Sequence, residues 1–325
     1  MSGDLGPEVV VRAAAETLKK YASVNLILVG DEAVLRPLAR ELVGDDSRLS
    51  IRNASEVVTM SEAPADALRK KKDSSMRVAI NMVKEGAADA CVSPGNTGAL
   101  MATAKFVLKT LPGIDRPAII AELPAIGGSL HMLDLGANTQ ATAEQLFQYA
   151  MMGSVVSSDI VGIETPRVAL LNIGTEDIKG NDVVRQASAL LKASTLNYVG
   201  FIEGNDLFSG TADVVVTDGF TGNVALKTIE GAVGLVRYYL KRAFTRNWLS
   251  KLQAMLAGRV LKMLALEMDS RHYNGATLAG LNGIVVKSHG GADAIAFQHA
   301  IDTAIVEVRN QLPNQIGRLL QEEAA

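Results

Sequence analysis

The chain has 325 residues, 48% hydrophobic and 21% charged, which is the composition of a folded soluble protein with one large domain or two smaller ones. A formal net charge of −3 excludes a general nucleic-acid binder, because no overall positive charge is available to displace phosphate counterions. The single cysteine, Cys91, excludes an internal disulfide, and the four scattered histidines form no metal-ligand pair. Neither a signal peptide nor a membrane-spanning segment is expected, so a reducing cytoplasm is the default location.

Short β-rich runs alternate with longer helical patterns along the chain. The predicted strands cover residues 25–30, 88–93, 117–121, 130–136, 167–174, 198–203, 212–218 and 283–288. The predicted helices cover residues 7–21, 63–85, 97–109, 141–156, 182–192, 223–246 and 292–322. This alternation, with several near-continuous apolar strands, predicts an α/β fold with a mostly parallel sheet covered by helices. We expect a single α/β domain over residues 1–325.

The chain opens on a turn, from Ser2 to Pro7, that leads directly into the first helix. In an open α/β fold, a turn of this kind usually follows a strand. The sequence therefore predicts that a first strand is missing ahead of the turn.

Five predicted strands are followed by turns that combine glycine with small polar residues, at 93–98, 134–139, 172–177, 217–223 and 287–291. In open parallel sheets, ligands bind beyond the carboxyl ends of the strands, where glycine allows close approach and a helix N-terminus favours an anion. None of the turns is a Walker loop, a dinucleotide fingerprint or a nucleophile elbow. The asparagines Asn96, Asn138 and Asn223 are equally well explained as helix N-caps.

Three side chains near these turns have a structural and a functional interpretation. Cys91 lies inside a predicted strand, where a buried, unreactive thiol is the simpler interpretation. Lys179 lies in a polar turn after a very apolar strand, either as a solvated loop lysine or as a functional cation. His289 is a turn residue, or an anion contact if the binding crevice lies there.

Residues 230–270 are predicted to form a protruding helical hairpin that is both basic and amphipathic. No acidic residue stands between Glu230 and Glu267, and apolar residues recur at helical spacing. Such a segment binds an anionic membrane or an acidic partner, or it packs in a dimer interface with its basic face solvated. Its candidate contact residues are Arg237, Lys241, Arg242, Arg246, Trp248, Leu249, Leu252 and Leu256. The basic run at 69–72 is more simply a solvated helix face.

Six segments occur together in a specific order: RKKKDSSM at 69–76, SPGNTGAL at 93–100, GIDRP at 113–117, LDLGAN at 133–138, LNIGTED at 171–177 and VTDGFTGN at 216–223. In these segments, and over essentially its whole length, the chain resembles the phosphate acyltransferase family of bacterial phospholipid synthesis, the PlsX-type transacylases. Two turns depart slightly from the family pattern, Ser2-Gly3-Asp4 for Gly-Gly-Asp and Pro94-Gly95-Asn96 for Ala-Gly-Asn. The family also usually opens with a strand before its Gly-Asp turn.

The resemblance implies a Rossmann-like fold related to phosphotransacetylases and isocitrate-dehydrogenase-type proteins, and a homodimer. It implies that a fatty acyl group passes from acyl carrier protein to inorganic phosphate. The acyl phosphate then feeds the membrane acyltransferase that acylates glycerol 3-phosphate. The resemblance also implies a cytoplasmic protein associated peripherally with the inner face of the membrane, and this chemistry requires neither a cofactor nor a metal.

By the same resemblance, Lys179 matches the catalytic lysine of the family's Glu-Asp-x-Lys-Gly-Asn turn. It would pair with phosphate as a point charge or accept a proton. The expected phosphate and oxyanion contacts are Gly95, Asn96, Thr97, Asn138, Asn181, Gly222, Asn223 and His289, with Asp134 and Asp218 orienting the donors. Two rival functions stay open: a phosphotransacylase that uses acyl-coenzyme A, and a non-catalytic scaffold recruited to the membrane.

Overall fold

A computed structural model describes residues 1, 3–267 and 269–323, so Ser2 of the predicted opening turn lies outside the described residues. Within them the strands are β1 (Leu26–Gly30), β2 (Leu49–Asn53), β3 (Ala90–Ser93), β4 (Ala118–Ala125), β5 (Gly128–Leu133), β6 (Val168–Leu171), β7 (Tyr198–Ile202), β8 (Val214–Val216), β9 (Ala276–Ala279) and β10 (Ile284–Lys287). The helices are α1 (Pro7–Lys20), α2 (Glu32–Leu42), α3 (Pro64–Lys70), α4 (Ser75–Lys84), α5 (Thr97–Leu108), α6 (Ala143–Val161), α7 (Asp182–Lys192), α8 (Gly219–Thr245), α9 (Trp248–Leu256), α10 (Gly258–Glu267), α11 (Ala294–Arg309) and α12 (Leu312–Glu323), with a 3₁₀ helix at Ser270–Tyr273.

Most of the strands form one sheet, in the order β3-β10-β9-β4-β5-β8-β6-β7, while β1 and β2 form a separate parallel pair. Parallel pairing joins β3 to β10, β5 to β8, β8 to β6 and β6 to β7, which confirms the predicted mostly parallel α/β architecture. β9 is antiparallel to both β10 and β4, and β4 is antiparallel to β5. The carboxyl ends of β3, β4 and β10 therefore lie at one edge of the sheet, and those of β5, β6, β7 and β8 lie at the opposite edge.

Helices cover both faces of the large sheet, as the apolar strands predicted. Ile119 and Ile120 of β4 are both buried but belong to different core clusters, because successive side chains of a strand point to opposite faces. One cluster contains residues of α4 and α5, together with the first half of α8. The other contains residues of α6, α7 and α12, including the fully buried Tyr149. Cys91 of β3 is buried, and burial raises the pKa of its thiol to about 12, as expected for an unreactive structural cysteine.

An apolar groove of about 610 Å³ lies between β1 and β3. In the described chain β1 pairs only with β2 and β3 only with β10, so both strand edges that border the groove are unpaired. Side chains of α1, α4 and α11 close it above and below. An extended segment laid in this groove would find backbone partners on both sides, which is the geometry that the predicted first strand requires. The presence of that strand stays a prediction.

Two of the predicted helices are each interrupted. Within 63–85, α3 ends at Lys70 and α4 starts afresh, with the Ser74 hydroxyl accepting a hydrogen bond from the Arg77 N–H at 3.3 Å. Within 292–322, Gln311 adopts a positive φ of 54° just ahead of Pro313, which separates α11 from α12.

Three elements were not predicted from the sequence, namely β2, α2 and β9. α2 was missed because it contains Pro37, and a proline in a sequence usually marks the end of a helix. β9 is bounded by Gly275 and Gly280, whose φ angles are +131° and +87°. Three predicted strands, 130–136, 167–174 and 212–218, also end earlier than expected, at Leu133, Leu171 and Val216. The missed β9 matters most, because it joins β10 to β4 through two antiparallel pairings.

The segment 230–270, predicted as one hairpin, contains the second half of α8, then α9, α10 and the start of the 3₁₀ helix. We call the helices of this segment the arm. Its basic side chains are exposed in the isolated chain, and so are its apolar ones, with Trp248 73% and Leu256 77% exposed. Among the helices that the structure describes, none is both long and apolar enough to cross a bilayer.

Candidate active site

The glycine-containing turns that follow the strands divide into two groups. The turns at 134–139, 172–177 and 217–223 follow β5, β6 and β8 at one edge of the sheet. The turns at 93–98 and 287–291 follow β3 and β10 at the opposite edge. In an all-parallel sheet the five would share one edge. The antiparallel pairing of β4 with β5 reverses the strand direction and separates the turns into these two groups.

Asp134 organises the turn after β5. Its buried carboxylate accepts hydrogen bonds from the backbone N–H groups of Ile119 and Ala137, both at 3.0 Å, and of Asn138 at 2.7 Å. Burial raises the pKa of this carboxyl, and the N–H donors oppose that shift. The Asn138 amide donates to the Pro117 carbonyl at 2.8 Å and to Asp134 at 3.0 Å. The Asn138 side chain therefore holds the turn together and does not cap a helix.

The N-terminus of α8 packs directly on this turn. Asp218 caps the helix by accepting hydrogen bonds from two N–H groups of its first turn. The Gly219 N–H donates to the Asn138 carbonyl at 2.8 Å, and the Gly222 N–H donates to the Asp218 carbonyl at 2.9 Å. A phosphate at Gly222 would thus compete with an existing backbone bond. The geometry assigns Gly222 a packing role, because a Cβ built on it would overlap the Asp134 carbonyl oxygen.

Replacing Gly222 with alanine should destabilise the protein by about 3 kcal/mol, because the added methyl forces α8 away from the Asp134 turn. Gly231→Ala, further along the same helix, is the matched control, since its new methyl would meet nothing within 4 Å. That control should stabilise the protein by about 0.5–1 kcal/mol, because alanine is the better helix former. Urea denaturation of both variants measures the difference, and equal effects would contradict the packing role of Gly222.

Asn223 is the predicted contact at this edge whose amide is not used by the fold. Its side chain is exposed, lies against Gly136 and has no hydrogen-bond partner within residues 1, 3–267 and 269–323. The Asp218 cap excludes the interpretation of Asn223 as an N-cap. Further along α8, Ala225, Leu226 and Ile229 pack on the sheet, so the helix runs across the sheet face away from this edge.

Lys287 lies at the opposite edge of the sheet, where a charge on α8 affects its pKa. It ends β10, is only 8% exposed, and its ammonium donates to the Ser288 carbonyl and to the Pro94 carbonyl at 3.4 Å. Burial lowers the pKa of Lys287 to about 8, with Asp4 opposing the shift and the charge of Lys227 on α8 contributing to it. Lys227 also pairs with Glu230 at 2.8 Å. The charges of Lys227 and Lys287 are therefore close enough to affect one another.

The turn after β3 holds three predicted phosphate contacts. The Asn96 side chain caps α5 by accepting from the Ala99 N–H at 3.0 Å, and its amide donates to the carbonyls of Met60 at 2.9 Å and Glu62 at 3.0 Å. Asn96 is thus a helix N-cap and a tie to the neighbouring loop. The buried Gly95 donates its N–H to Ser93, whereas the Thr97 hydroxyl is exposed and has no partner among the described residues. Thr97 is therefore the available donor at the N-terminus of α5.

His289 lies on the same side of the sheet as the α5 turn. Its Nδ1 accepts a hydrogen bond from the Gly291 N–H at 3.1 Å, and the backbone N–H of His289 donates to the Asn274 side-chain oxygen at 2.9 Å. Since Nδ1 is an acceptor, the neutral ring carries its proton on Nε2, which makes that exposed nitrogen a hydrogen-bond donor. The imidazole therefore has the chemistry of an anion contact.

Lys179 lies in a closed loop between β6 and α7. Its N–H donates to the Glu176 carbonyl at 2.9 Å, and the Asn172 amide donates to its carbonyl at 3.3 Å. The side chain is exposed, and its ammonium has no hydrogen bond or ion pair within the part of the chain that the structure describes. Asn181, just after the loop, caps α7 by accepting from the Val184 N–H at 2.9 Å. Lys179 is consequently positioned by backbone bonds while its charge stays available.

The predicted site residues therefore form three groups: Asn138, Gly222 and Asn223 at the Asp134 turn; Gly95, Asn96, Thr97 and His289 at the α5 turn; and Lys179 with Asn181 in the β6–α7 loop. Asn138, Asn96 and Asn181 hold the fold together with their side chains, whereas Asn223, Thr97 and Lys179 have polar groups available.

Sequence reasoning missed three cations near these groups, Lys227, Lys287 and Arg116. Arg116 is exposed at the start of β4, and its charge opposes the rise in the pKa of Tyr149 that burial and Asp134 produce. Lys287 is the first residue of the turn at 287–291 and Arg116 belongs to the segment GIDRP at 113–117, and these positions were the available signal. Among the residues described, no group of three or more His, Cys, Asp or Glu side chains is placed to hold a metal ion.

Two solved structures share this fold over most of their length. A phosphotransacetylase from Streptococcus pyogenes matches 93% of this chain and 91% of its own, with a TM-score of 0.61 and 21% sequence identity. The EutD phosphotransacetylase from Staphylococcus aureus matches 92% of this chain and 90% of its own, with a TM-score of 0.58 and 19% identity. The fold is thus that of the phosphotransacetylases, as the sequence predicted.

The family is defined by closer relatives. The family model described as "Fatty acid synthesis protein" matches residues 1–315. A phosphate acyltransferase from Nitrosococcus oceani is 56% identical over 322 residues, which cover 99% of this chain and 95% of that protein. A phosphate acyltransferase from Methylococcus capsulatus is 53% identical over 325 residues, with the same coverage of both chains. The chain belongs to this phosphate acyltransferase family, which confirms the resemblance seen in its motifs.

Proposed function

We propose that the protein transfers a fatty acyl group from acyl carrier protein to inorganic phosphate and supplies acyl phosphate for phospholipid synthesis. The observation that carries this proposal is the match of 99% of the chain to relatives named phosphate acyltransferase. The acyl donor, a homodimeric state and a peripheral position at the cytoplasmic face of the membrane are parts of the proposal that go beyond those names. One catalytic domain, with the arm at residues 230–270 as its docking segment, completes it.

The mechanism needs a bound phosphate, an oriented thioester and charge stabilisation for the tetrahedral oxyanion. Attack of a phosphate oxygen on the thioester carbonyl carbon forms the new C–O bond. Collapse of the oxyanion then breaks the C–S bond and releases the carrier thiolate. No covalent enzyme intermediate is needed. Lys179 neutralises developing negative charge, and the amide of Asn223, at the same edge of the sheet, donates a hydrogen bond. The hydroxyl of Thr97, the ammonium of Lys287 and the imidazole of His289 supply donors and positive charge at the opposite edge.

The reaction is tested by following free thiol release from hexadecanoyl-acyl carrier protein with and without phosphate. The proposal predicts release that requires phosphate and yields acyl phosphate. Phosphate-independent release would identify a thioesterase, and equal efficiency with hexadecanoyl-coenzyme A would identify a phosphotransacylase of broader donor range. No release from the folded protein would favour the non-catalytic scaffold.

The arm should steer the acidic carrier protein by electrostatic attraction. Replacing Arg237, Lys241, Arg242 and Arg246 together with glutamine should lower kcat/KM for the acyl carrier about tenfold at low salt, because steered association depends on exposed charge. The loss should shrink as ionic strength rises. Neutralising the exposed Arg69, Lys70 and Lys72, a basic run outside the arm, is the matched control and should change kcat/KM less than twofold. An unchanged salt dependence in the arm variant would remove steering from the proposal.

A further inference from the structure

The loop that carries Lys179 also carries two exposed isoleucines. Ile173 is 80% exposed and Ile178 is 81% exposed, although the rest of the loop, from Asn172 to Gly180, consists of polar residues and glycine. A single exposed apolar side chain is ordinary on a protein surface. Two in one short polar loop, both next to the catalytic lysine of the proposed function, call for an apolar ligand at that place.

The loop geometry brings the two isoleucines to either side of Lys179. The loop is closed at its base, where the Asn172 amide donates to the Lys179 carbonyl at 3.3 Å. The stem of Lys179 lies over Gly174, so close that a Cβ on Gly174 would stand 2.9 Å from Lys179 Cγ. Ile173 directly precedes Gly174, and Ile178 directly precedes Lys179. The two isoleucines therefore lie in the two arms of the loop, Ile178 next to Lys179 and Ile173 next to the Gly174 that the Lys179 stem covers.

We propose that Ile173 and Ile178 bind the acyl chain of the thioester, over the carbons that follow its carbonyl group. This inference rests on the proposed function and adds its acyl-recognition element to it. When Lys179 neutralises the oxyanion, the chain attached to the same carbonyl carbon lies within reach of side chains adjoining that lysine. An acyl chain is the apolar part of this substrate, and burying it against the isoleucines removes apolar surface of both from water.

The expected strength of the contact follows from the area buried. Each methylene removed from water contributes about 0.8 kcal/mol, so two isoleucines that cover a few carbons raise affinity by about tenfold to a hundredfold. An acetyl group has too few carbons to reach them. The preference for a long over a short acyl chain should therefore depend on these two side chains.

Binding of hexadecanoyl- and acetyl-acyl carrier protein, measured by titration without phosphate, tests the inference independently of turnover. The wild type should bind the hexadecanoyl form at least tenfold more tightly, and the double variant Ile173→Ser, Ile178→Ser should lose most of that preference. Ile126→Ser is the matched control. Ile126 is 78% exposed in the β4–β5 turn, at the opposite edge of the sheet from the Lys179 loop, and its replacement should leave the preference unchanged.

Three results would overturn the inference. The double variant could keep the wild-type chain preference, or the Ile126 variant could lose as much of it. The double variant could also bind both carriers equally weakly while sedimentation shows that it has dissociated from a second copy, which would make the pair a subunit contact. A wild type that binds the long chain selectively through these residues but forms no acyl phosphate would instead reject the proposed function and leave this inference standing.

Discussion

Replacing Lys179 with alanine should lower kcat for phosphate-dependent thiol release at least about a hundredfold. Lys179 is the one cation of the β6–α7 loop and has no partner in the described chain, whereas Lys192 and Arg185 on the adjoining α7 pair with Asp177 at 2.8 Å and with Asp182. Removing a preorganised charge that stabilises an oxyanion costs about 3–4 kcal/mol of transition-state free energy. Steady-state kinetics with saturating acyl carrier protein measures the loss.

The same substitution should leave stability almost unchanged, because the Lys179 side chain is exposed and the loop is held by backbone bonds. Lys192→Ala is the matched control. It removes an exposed lysine that touches the same loop through Asp177, and such a surface pair contributes less than about 1 kcal/mol. If Lys192→Ala lost as much activity as Lys179→Ala, the shape of the loop rather than the ammonium would be responsible. If the loss appeared only in KM for phosphate, Lys179 would bind the ground state without acting on the transition state.

Local sequence signals predicted local structure well. The near-continuous apolar strands β3, β6 and β8 lie in the large sheet, and Asn96 and Asn181 act as the helix caps that their residue type favours. Lys179 lies in the polar loop where the pattern located it. These features depend on neighbours within a few positions of the chain, and a sequence shows such neighbours directly.

The arrangement of the site depended on contacts between distant segments, which the sequence does not show. β9 is a four-residue strand of uncharged residues between two glycines, and its antiparallel pairing on both sides makes β10 and β4 point the same way. Because β4 is antiparallel to β5, the α5 turn after β3 and the Asp134 turn after β5 lie at opposite edges. Asn138 was likewise predicted as a ligand contact from its place in a glycine-containing turn. Only the folded chain shows that its amide donates to the Pro117 carbonyl.

Glu307 should contribute a fall of about 2 kcal/mol in the stability of the protein as pH rises from 6.5 to 8. This side chain is fully buried on α11 and hydrogen-bonded to the Thr277 hydroxyl, while its Oε2 has no partner among the described residues. Burial raises its pKa from 4.5 to about 8. The folded state therefore keeps a proton that the unfolded chain has lost, and stability decreases with pH across that window.

Between pH 4.5 and 6.5 a second group should cancel this slope. His131 on β5 is 2% exposed, neither of its ring nitrogens has a partner in the described structure, and burial lowers its pKa from 6.5 to about 4. The unfolded chain binds a proton there that the folded state does not, so this contribution rises with pH. The contributions of Glu307 and His131 to the slope of stability against pH have opposite signs and similar size between pH 4.5 and 6.5. Together they should add almost no net pH dependence below pH 6.5.

Two single substitutions separate these contributions. Glu307→Gln preserves shape but cannot ionise, so its stability relative to the wild type should increase from pH 4.5 to 8. His131→Met should instead gain relative stability as pH falls from 6.5 towards 4. Asp134 and Asp159, whose pKa values burial also raises, are present in all three proteins and drop out of the differences. Urea denaturation from pH 4.5 to 9 measures the curves. Wild-type and Glu307→Gln curves that ran parallel would mean that Glu307 is already ionised in the folded protein, with a water or a cation at its unpaired oxygen.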